Sequence, residues 1–306
     1  MRTVARVPYP VPYRLSQFSM PRIAVSAVLT IVVVIALVGV DMLAFTIKNP
    51  ALIFGRHYYL ALGDSISFGY QPDFNFTSGF ADDVFADLKK ANVTDFVNYA
   101  CAGETTTTMI QGNCQLHLIH HDAYTGPQLA AAVSFLRRHS GYVNPVTLEI
   151  GSNDVLQDFD QTTCTTSASA DADVARMDND LTRTILPQLR DAMGSTYQKG
   201  DLVMLNYYNP FARACSNSAV FVHRFNQHLA DDAAAFGIPI VDVYAAFGGD
   251  KYMADNICDY TWICSAYHDI HPTTAGYRVI ANAVEKTLGY PGIGGGGPIP
   301  LPAFGG

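Results

Sequence analysis

Beyond residue 57 the chain alternates short apolar runs with longer segments in which apolar positions recur every three or four residues. The short runs, Tyr58–Leu62, Phe96–Tyr99, Val146–Ile150, Leu202–Asn206 and Ile238–Val243, are too brief for helices and read as buried strands. Between them the helical period appears at Gly79–Lys90, Pro127–His139, Ala172–Leu189 and Ala219–Phe236, and a last helix spans Thr273–Leu288. Pro127 suits a first helical turn, Gly141 a helix end, and Pro187 is expected to kink or end its helix. Strands alternating with helices build a parallel sheet covered on both faces. The pattern therefore predicts an α/β domain over residues 57–290, a three-layer α/β/α arrangement of flavodoxin-like type with a central parallel sheet. In such sheets ligands bind beyond the carboxyl ends of the strands, which is where chemistry should be sought.

The N-terminal pattern is different. Ile23 to Val40 carries no charge, and with the apolar residues that follow Asp41 the stretch 23–45 is long enough to span a bilayer core. Arg2, Arg6, Arg14 and Arg22 precede it with no acid among them, so a basic leader (1–22) is expected inside the cell and everything beyond the anchor outside. No Ala-x-Ala cleavage site follows the apolar run, which favours an uncleaved anchor over a signal peptide; cleavage would make the protein secreted. Residues 46–56 form a tether, and the Gly/Pro-rich 291–306 a disordered tail.

Charge narrows the partners. The whole chain has a formal net charge of -8, yet residues 1–48 hold five basic residues against Asp41, so the exported part sits near −12. An acidic domain without a basic stripe lacks the phosphate contacts that supply most nucleic-acid affinity, so nucleic acid is excluded as a partner. All six cysteines lie beyond the apolar segment, as in an oxidised exported domain. Metal-binding Cys-x-x-Cys spacings are absent. Six cysteines allow fifteen pairings; the expected set is Cys101–Cys114, Cys164–Cys215 and Cys258–Cys264, its short-range members each closing a loop beside a candidate catalytic segment.

Four short motifs fall after predicted strands or before a helix. Gly63-Asp64-Ser65-Ile66-Ser67 follows the first strand, Asn98-Tyr99-Ala100-Cys101-Ala102-Gly103-Glu104-Thr105-Thr106 the second and Gly151-Ser152-Asn153-Asp154 the third; Asp269-Ile270-His271-Pro272 precedes the last helix. Singly, each has an ordinary explanation: a surface turn, a turn glycine, an Asx-turn, a surface histidine. Together and in this order they resemble the SGNH/GDSL hydrolase family over about Tyr58 to Leu288, and Cys101 through Cys114 is similar to a subgroup of secreted bacterial lipase- or esterase-like members.

The resemblance implies that Ser65 is a nucleophile, that His271 is its general base, and that Ser65, Gly103 and Asn153 supply oxyanion donors. The chemistry asks for the same residue types. A serine hydroxyl needs an imidazole to take its proton and return it to the leaving alcohol, and a carbonyl oxygen becoming tetrahedral needs preorganised N–H donors. The acid departs from the family pattern: three residues before His271 stands His268, and Asp269 is only two before. Asp269 can serve if the chain bends locally, with Asp242 or a main-chain carbonyl as alternatives.

Other residues invite plainer readings. His117, His120, His121 and Asp122 lie in an irregular loop without a paired ligand set, so no metal and no cofactor is implied. Glu149 and Asp154 read as structural or solvated, and Tyr207, Tyr208 and Phe211 as an acyl-pocket lining or as packing. The expected function is an extracytoplasmic serine esterase or lipase acting on a small-molecule, lipid or glycan ester. An acyltransferase acting on envelope polysaccharide and an inactive ligand-binding protein on the same scaffold are the alternatives.

Overall fold

A computed structural model describes residues 58–289 except 92, 117 and 118. The expected basic leader, 23–45 anchor, tether and 291–306 tail lie outside the described residues. Among the described residues no helix is long and apolar enough to cross a membrane.

Five parallel strands form one sheet: β1 (Tyr58–Gly63), β2 (Asp95–Asn98), β3 (Val143–Glu149), and, after the two-residue strands β4 (Phe159–Asp160) and β5 (Thr165–Thr166), β6 (Leu202–Leu205) and β7 (Ile240–Val241). Their order is β2-β1-β3-β6-β7. Every residue of β3 and β6 is buried, as is all of β1 after Tyr58, because both sheet faces are covered; β1 and β6 are correspondingly apolar, whereas β3 also buries Asn144, Thr147 and Glu149. Helix Thr274–Leu288 packs against both Phe80–Leu88 and Gly249–Tyr260, while Gln128–Arg138 packs against Leu186–Met193 and Ala170–Asp180 against Ser218–Ala235. β4 and β5 form a separate antiparallel hairpin.

The structure adds to or departs from the sequence pattern in three places. Of the two outcomes expected at Pro187, the helix is distorted and not ended: a π turn, Leu181–Ile185, widens the backbone just before it, and the helix resumes as Leu186–Met193 with the proline in its first turn. A proline there lacks only a donor whose acceptor the π turn has already displaced. The fifth strand shrinks from Ile238–Val243 to two residues, because the Asp242 side chain accepts the Ala245 N–H at 3.0 Å and starts a helix, Val243–Ala246. Helix Gly249–Tyr260 was not foreseen; within it only Met253 and Ile257, one turn apart, are fully buried apolar residues, too sparse a stripe to register.

The cysteines pair as Cys101–Cys114, Cys164–Cys215 and Cys258–Cys264. Each ties down a loop on the side of the sheet where the strands end. The order reverses between β1 and β3, so the loops after these two strands part and leave a crevice.

Candidate active site

Ser65 stands in that crevice, directly beyond β1. Gly63, at φ 130°, lies so close to β3 that a Cβ would run into the Glu149 carbonyl, and only glycine fits. Gln128 clamps the same glycine from both sides, accepting its N–H at 2.7 Å and donating to its carbonyl at 2.9 Å. Asp64 then caps the short helix Ser65–Phe68 by accepting the Ile66 N–H at 3.0 Å. Its other oxygen, fully buried, accepts from the Ser152 hydroxyl at 2.7 Å and from the Asn153 amide and the Tyr207 hydroxyl, each at 3.3 Å. The motif after β1 is thus fastened to the one after β3.

Ser65 Oγ lies 2.7 Å from His271 Nε2, and His271 Nδ1 lies 2.7 Å from Asp269 Oδ1. The same carboxylate oxygen accepts the His271 backbone N–H at 2.8 Å. His268, at φ 49° and exposed, turns the chain into this bend, which is how an acid two residues before the histidine reaches its ring. Burial works to raise the Asp269 carboxyl, but the hydrogen bond and charge of the His271 ring and the His271 backbone N–H outweigh it and hold Asp269 below the usual carboxylate range. An ionised carboxylate can only accept, so Nδ1 carries the proton and Nε2 turns a lone pair toward the Ser65 hydroxyl. This arrangement can draw the proton from Ser65. The other two candidates for the acid are placed elsewhere: Asp242 holds Asn206 and Ala245, and no main-chain carbonyl takes the place of Asp269 at Nδ1.

The loop carrying His271 is braced from outside. Trp262 donates its backbone N–H to the His271 carbonyl at 3.0 Å, Thr261 and Pro272 form an isolated bridge, and Tyr208 donates its hydroxyl to the Ile270 carbonyl at 2.7 Å.

Gly103 and Asn153 line the same cleft as Ser65 and His271. Gly103 has φ 84°, and a Cβ there would press on Gln115. Asn153 donates its amide to the Glu104 carbonyl at 2.9 Å, besides its longer contact to Asp64. Tyr207, Tyr208 and Phe211 are buried in the cleft wall and pack at once. Val155, Leu156, Phe221, Val222 and Phe225 complete the wall. Sequence reading missed these, although Phe221, Val222, Phe225 and Leu229 form a helical apolar stripe. It missed Gln128 too, for which no sequence signal exists.

The remaining acids are structural. Glu149 is buried, accepts the Ser67 N–H at 3.2 Å, and is driven well above the carboxylate range by burial and by the neighbouring Asp64. Asp154 takes the backbone N–H and hydroxyl of Thr106 at 2.9 and 2.7 Å. In the histidine-rich loop, His121 bonds the Phe68 carbonyl and Asp122 accepts the Asn98 N–H. The one cluster of ligand-type groups among the described residues, Cys101, Glu104 and Cys114, has its two sulfurs joined to each other.

The GDSL-like Lipase/Acylhydrolase family model matches residues 61–279. The chain belongs to this family. GDSL hydrolases act on ester bonds, and the chain is an enzyme of that kind. Among solved structures its fold is similar to a lipase from a goat rumen metagenome, with a TM-score of 0.51 at 20% identity over 78% of this chain and 99% of that one. It is also similar to an acetylxylan esterase from Geobacillus stearothermophilus, with a TM-score of 0.50 at 16% identity over 76% and 94%. No curated protein matches it in sequence.

Proposed function

We propose that this GDSL hydrolase cleaves carboxylic esters through an acyl-Ser65 intermediate. The observation that carries the reading is the unbroken chain Ser65 Oγ–His271 Nε2 and His271 Nδ1–Asp269 Oδ1, each link 2.7 Å, at the wall of a cleft lined mainly by apolar side chains.

Ser65 Oγ attacks the ester carbonyl while its proton passes to His271 Nε2, and Asp269 stabilises the imidazolium. The carbonyl oxygen, now an oxyanion, is met by backbone N–H groups of Ser65 and Gly103 and by Asn153. The weaker of the Asn153 contacts, 3.3 Å to Asp64, is the one that can be exchanged for the oxyanion. Collapse expels the alkoxide, which takes the proton from His271. Water, giving a proton to the same imidazole, then attacks acyl-Ser65; collapse releases the acid as Ser65 Oγ leaves and takes the proton back from His271. No step needs a metal or cofactor.

The domain acts outside the cell, held by the uncharged 23–45 segment. The arginine leader and the three disulfides support this location. Protease added to intact cells should remove the domain; recovery of full-length protein from cytosol would overturn the placement. For the chemistry, a fluorophosphonate probe should label Ser65 in folded protein and leave Ser65→Ala unlabelled. Folded wild type that stays unlabelled would sink the mechanism.

A further inference from the structure

The cleft beside Ser65 has a volume of about 300 Å³. An apolar protein cavity of roughly 150 Å³ holds benzene, so this one has room for a chain on the order of six to ten carbons beside the ester group. Its wall is apolar where the loops after β3 and β6 meet the first turns of helix Ser218–Ala235: Val155, Leu156, Phe211, Phe221, Val222 and Phe225. Several polar groups nearby are already engaged. Ser152 and Tyr207 bond Asp64, and Tyr208 bonds the Ile270 carbonyl. Apart from tyrosines, the only titratable groups among the described residues that line the cleft are Asp269 and His271. A sugar ring would find few free partners on this wall, and an acetyl group would leave most of it wet.

The wall is also built unusually. Leu156, Phe211 and Phe221 belong at once to the cleft lining and to a small hydrophobic cluster separate from the main core, in which Phe159 and Cys215 are buried and against which Cys164 packs. Phe159 stacks on Phe211 at 4.8 Å between centroids and meets Phe221 at 5.4 Å. Strands β4 and β5, with two residues each, are too short to hold Phe159 there unaided. Cys164–Cys215 ties the hairpin to the loop after β6, and Asn217 adds a hydrogen bond to the Cys164 carbonyl at 2.9 Å.

From this geometry we infer that the enzyme selects its ester by the acyl group, taking a medium-chain fatty acyl in preference to acetyl, and that the Cys164–Cys215 bridge positions the wall that selects it. The inference rests on the ester-hydrolase reading above and deepens it. Each methylene buried in such a wall is worth about 0.8 kcal/mol, roughly fourfold in kcat/KM if fully realised.

The test is kcat/KM on p-nitrophenyl acetate, butyrate, octanoate and palmitate. Octanoate should exceed acetate by about tenfold or more, with palmitate falling back because it outgrows the cleft. Phe221→Ala should lower the octanoate-to-acetate ratio. In the double variant Cys164→Ala/Cys215→Ala that ratio should fall about fivefold or more with acetate turnover retained, a split that general loss of folded enzyme does not produce. If this variant does not fold, Phe159→Leu, which keeps the bridge and lies outside the lining, should shift the ratio the same way. An enzyme that cleaves acetate as well as octanoate overturns the chain-length inference and leaves the hydrolase reading standing. A ratio unmoved by loss of the bridge overturns the positioning role. Failure to cleave any of the four esters overturns the hydrolase reading itself.

Discussion

Two carboxylates organise the surroundings of Ser65, and they are built in opposite ways. Asp64 is fully buried and gathers donors from Ser152, Asn153 and Tyr207, residues 88, 89 and 143 positions away. Asp269 keeps a side chain 24% exposed and binds one residue, two positions on, through both its ring and its backbone N–H. The first joins motifs from three strands into one surface; the second only aims an imidazole. Damage at Asp64 should therefore cost stability and activity together, whereas damage at Asp269 should cost activity with little change in stability.

The largest effects lie on the shared reaction line. Ser65→Ala and His271→Ala should each lower kcat by about 10⁴–10⁶, with the double variant little worse, because residues that act as a unit are not additive. Steady-state kinetics after removal of contaminating esterases checks this. Wild-type turnover by Ser65→Ala would end the assignment.

Next comes Asp269, where the local geometry sharpens the comparison. Asp269→Ala should cost about 10⁴, as loss of the orienting acid does in a full triad. Asp269→Asn should cost only about 10², because the His271 backbone N–H demands an acceptor at the Oδ1 position. The amide is thereby turned oxygen-inward, the tautomer survives, and only the charge is lost. Equal losses in the two variants would show that the amide had flipped.

Asn153→Ala should lower kcat by roughly 10²–10³ with KM nearly unchanged, since its donor matters after charge develops. A rise in KM alone would assign Asn153 to ground-state binding. Asp64→Asn tests the buried half of the comparison: an amide NH₂ facing three donors should destabilise by about 2–3 kcal/mol, lowering Tm by roughly 5–10 °C in a domain of this size. Asp269→Asn should move Tm by less than half as much. Similar shifts in both would erase the distinction between the two carboxylates.

The same contrast explains what could be read from the sequence. The five strands to within three residues at their starts, four of the five long helices and the four motif positions follow from local periodicity and from residue types set just after strands. Pro187 marked the place of a distortion, but the form it takes, a π turn, has no residue signature. The Asp269 spacing looked irregular because the left-handed turn at His268, which makes it work, is not encoded by a glycine. Gln128, Ser152 and Tyr207 act through contacts across the sheet edge, and a contact between residues 65 or 143 positions apart leaves no local pattern. The stacking of Phe159 on Phe211 belongs to the same class, although the Cys164–Cys215 pairing beside it was among the expected bridges.

The smallest effect separates the two regions by the sign of their pH dependence. Glu104, in the loop that carries Gly103, is buried; burial, helped by the Asp64 and Asp154 charges and opposed by hydrogen bonds from Thr108 and Gln128, pushes its carboxyl up to about 7 from an ordinary 4.5. The folded protein thus keeps a proton that the unfolded chain releases. Its stabilising contribution is complete below 4.5 and is lost as pH rises to about 7, at up to about 1.4 kcal/mol per pH unit. Asp269, held low by His271, has the opposite sign: its contribution is present above the ordinary aspartate value of 3.8 and is lost as pH falls through its depressed folded value. Glu104→Gln keeps an oxygen to accept the Gln128 amide at the position now 2.9 Å away, and removes the titration. Thermal melts should then show the variant close to wild type at pH 5 and several degrees more stable at pH 8, with Asp269→Asn showing no such gain on the alkaline side. A Glu104→Gln difference of the same size at both pH values would mean that the carboxyl stays ionised throughout, and that the buried acids of the sheet edge do not differ electrostatically from the one beside the histidine.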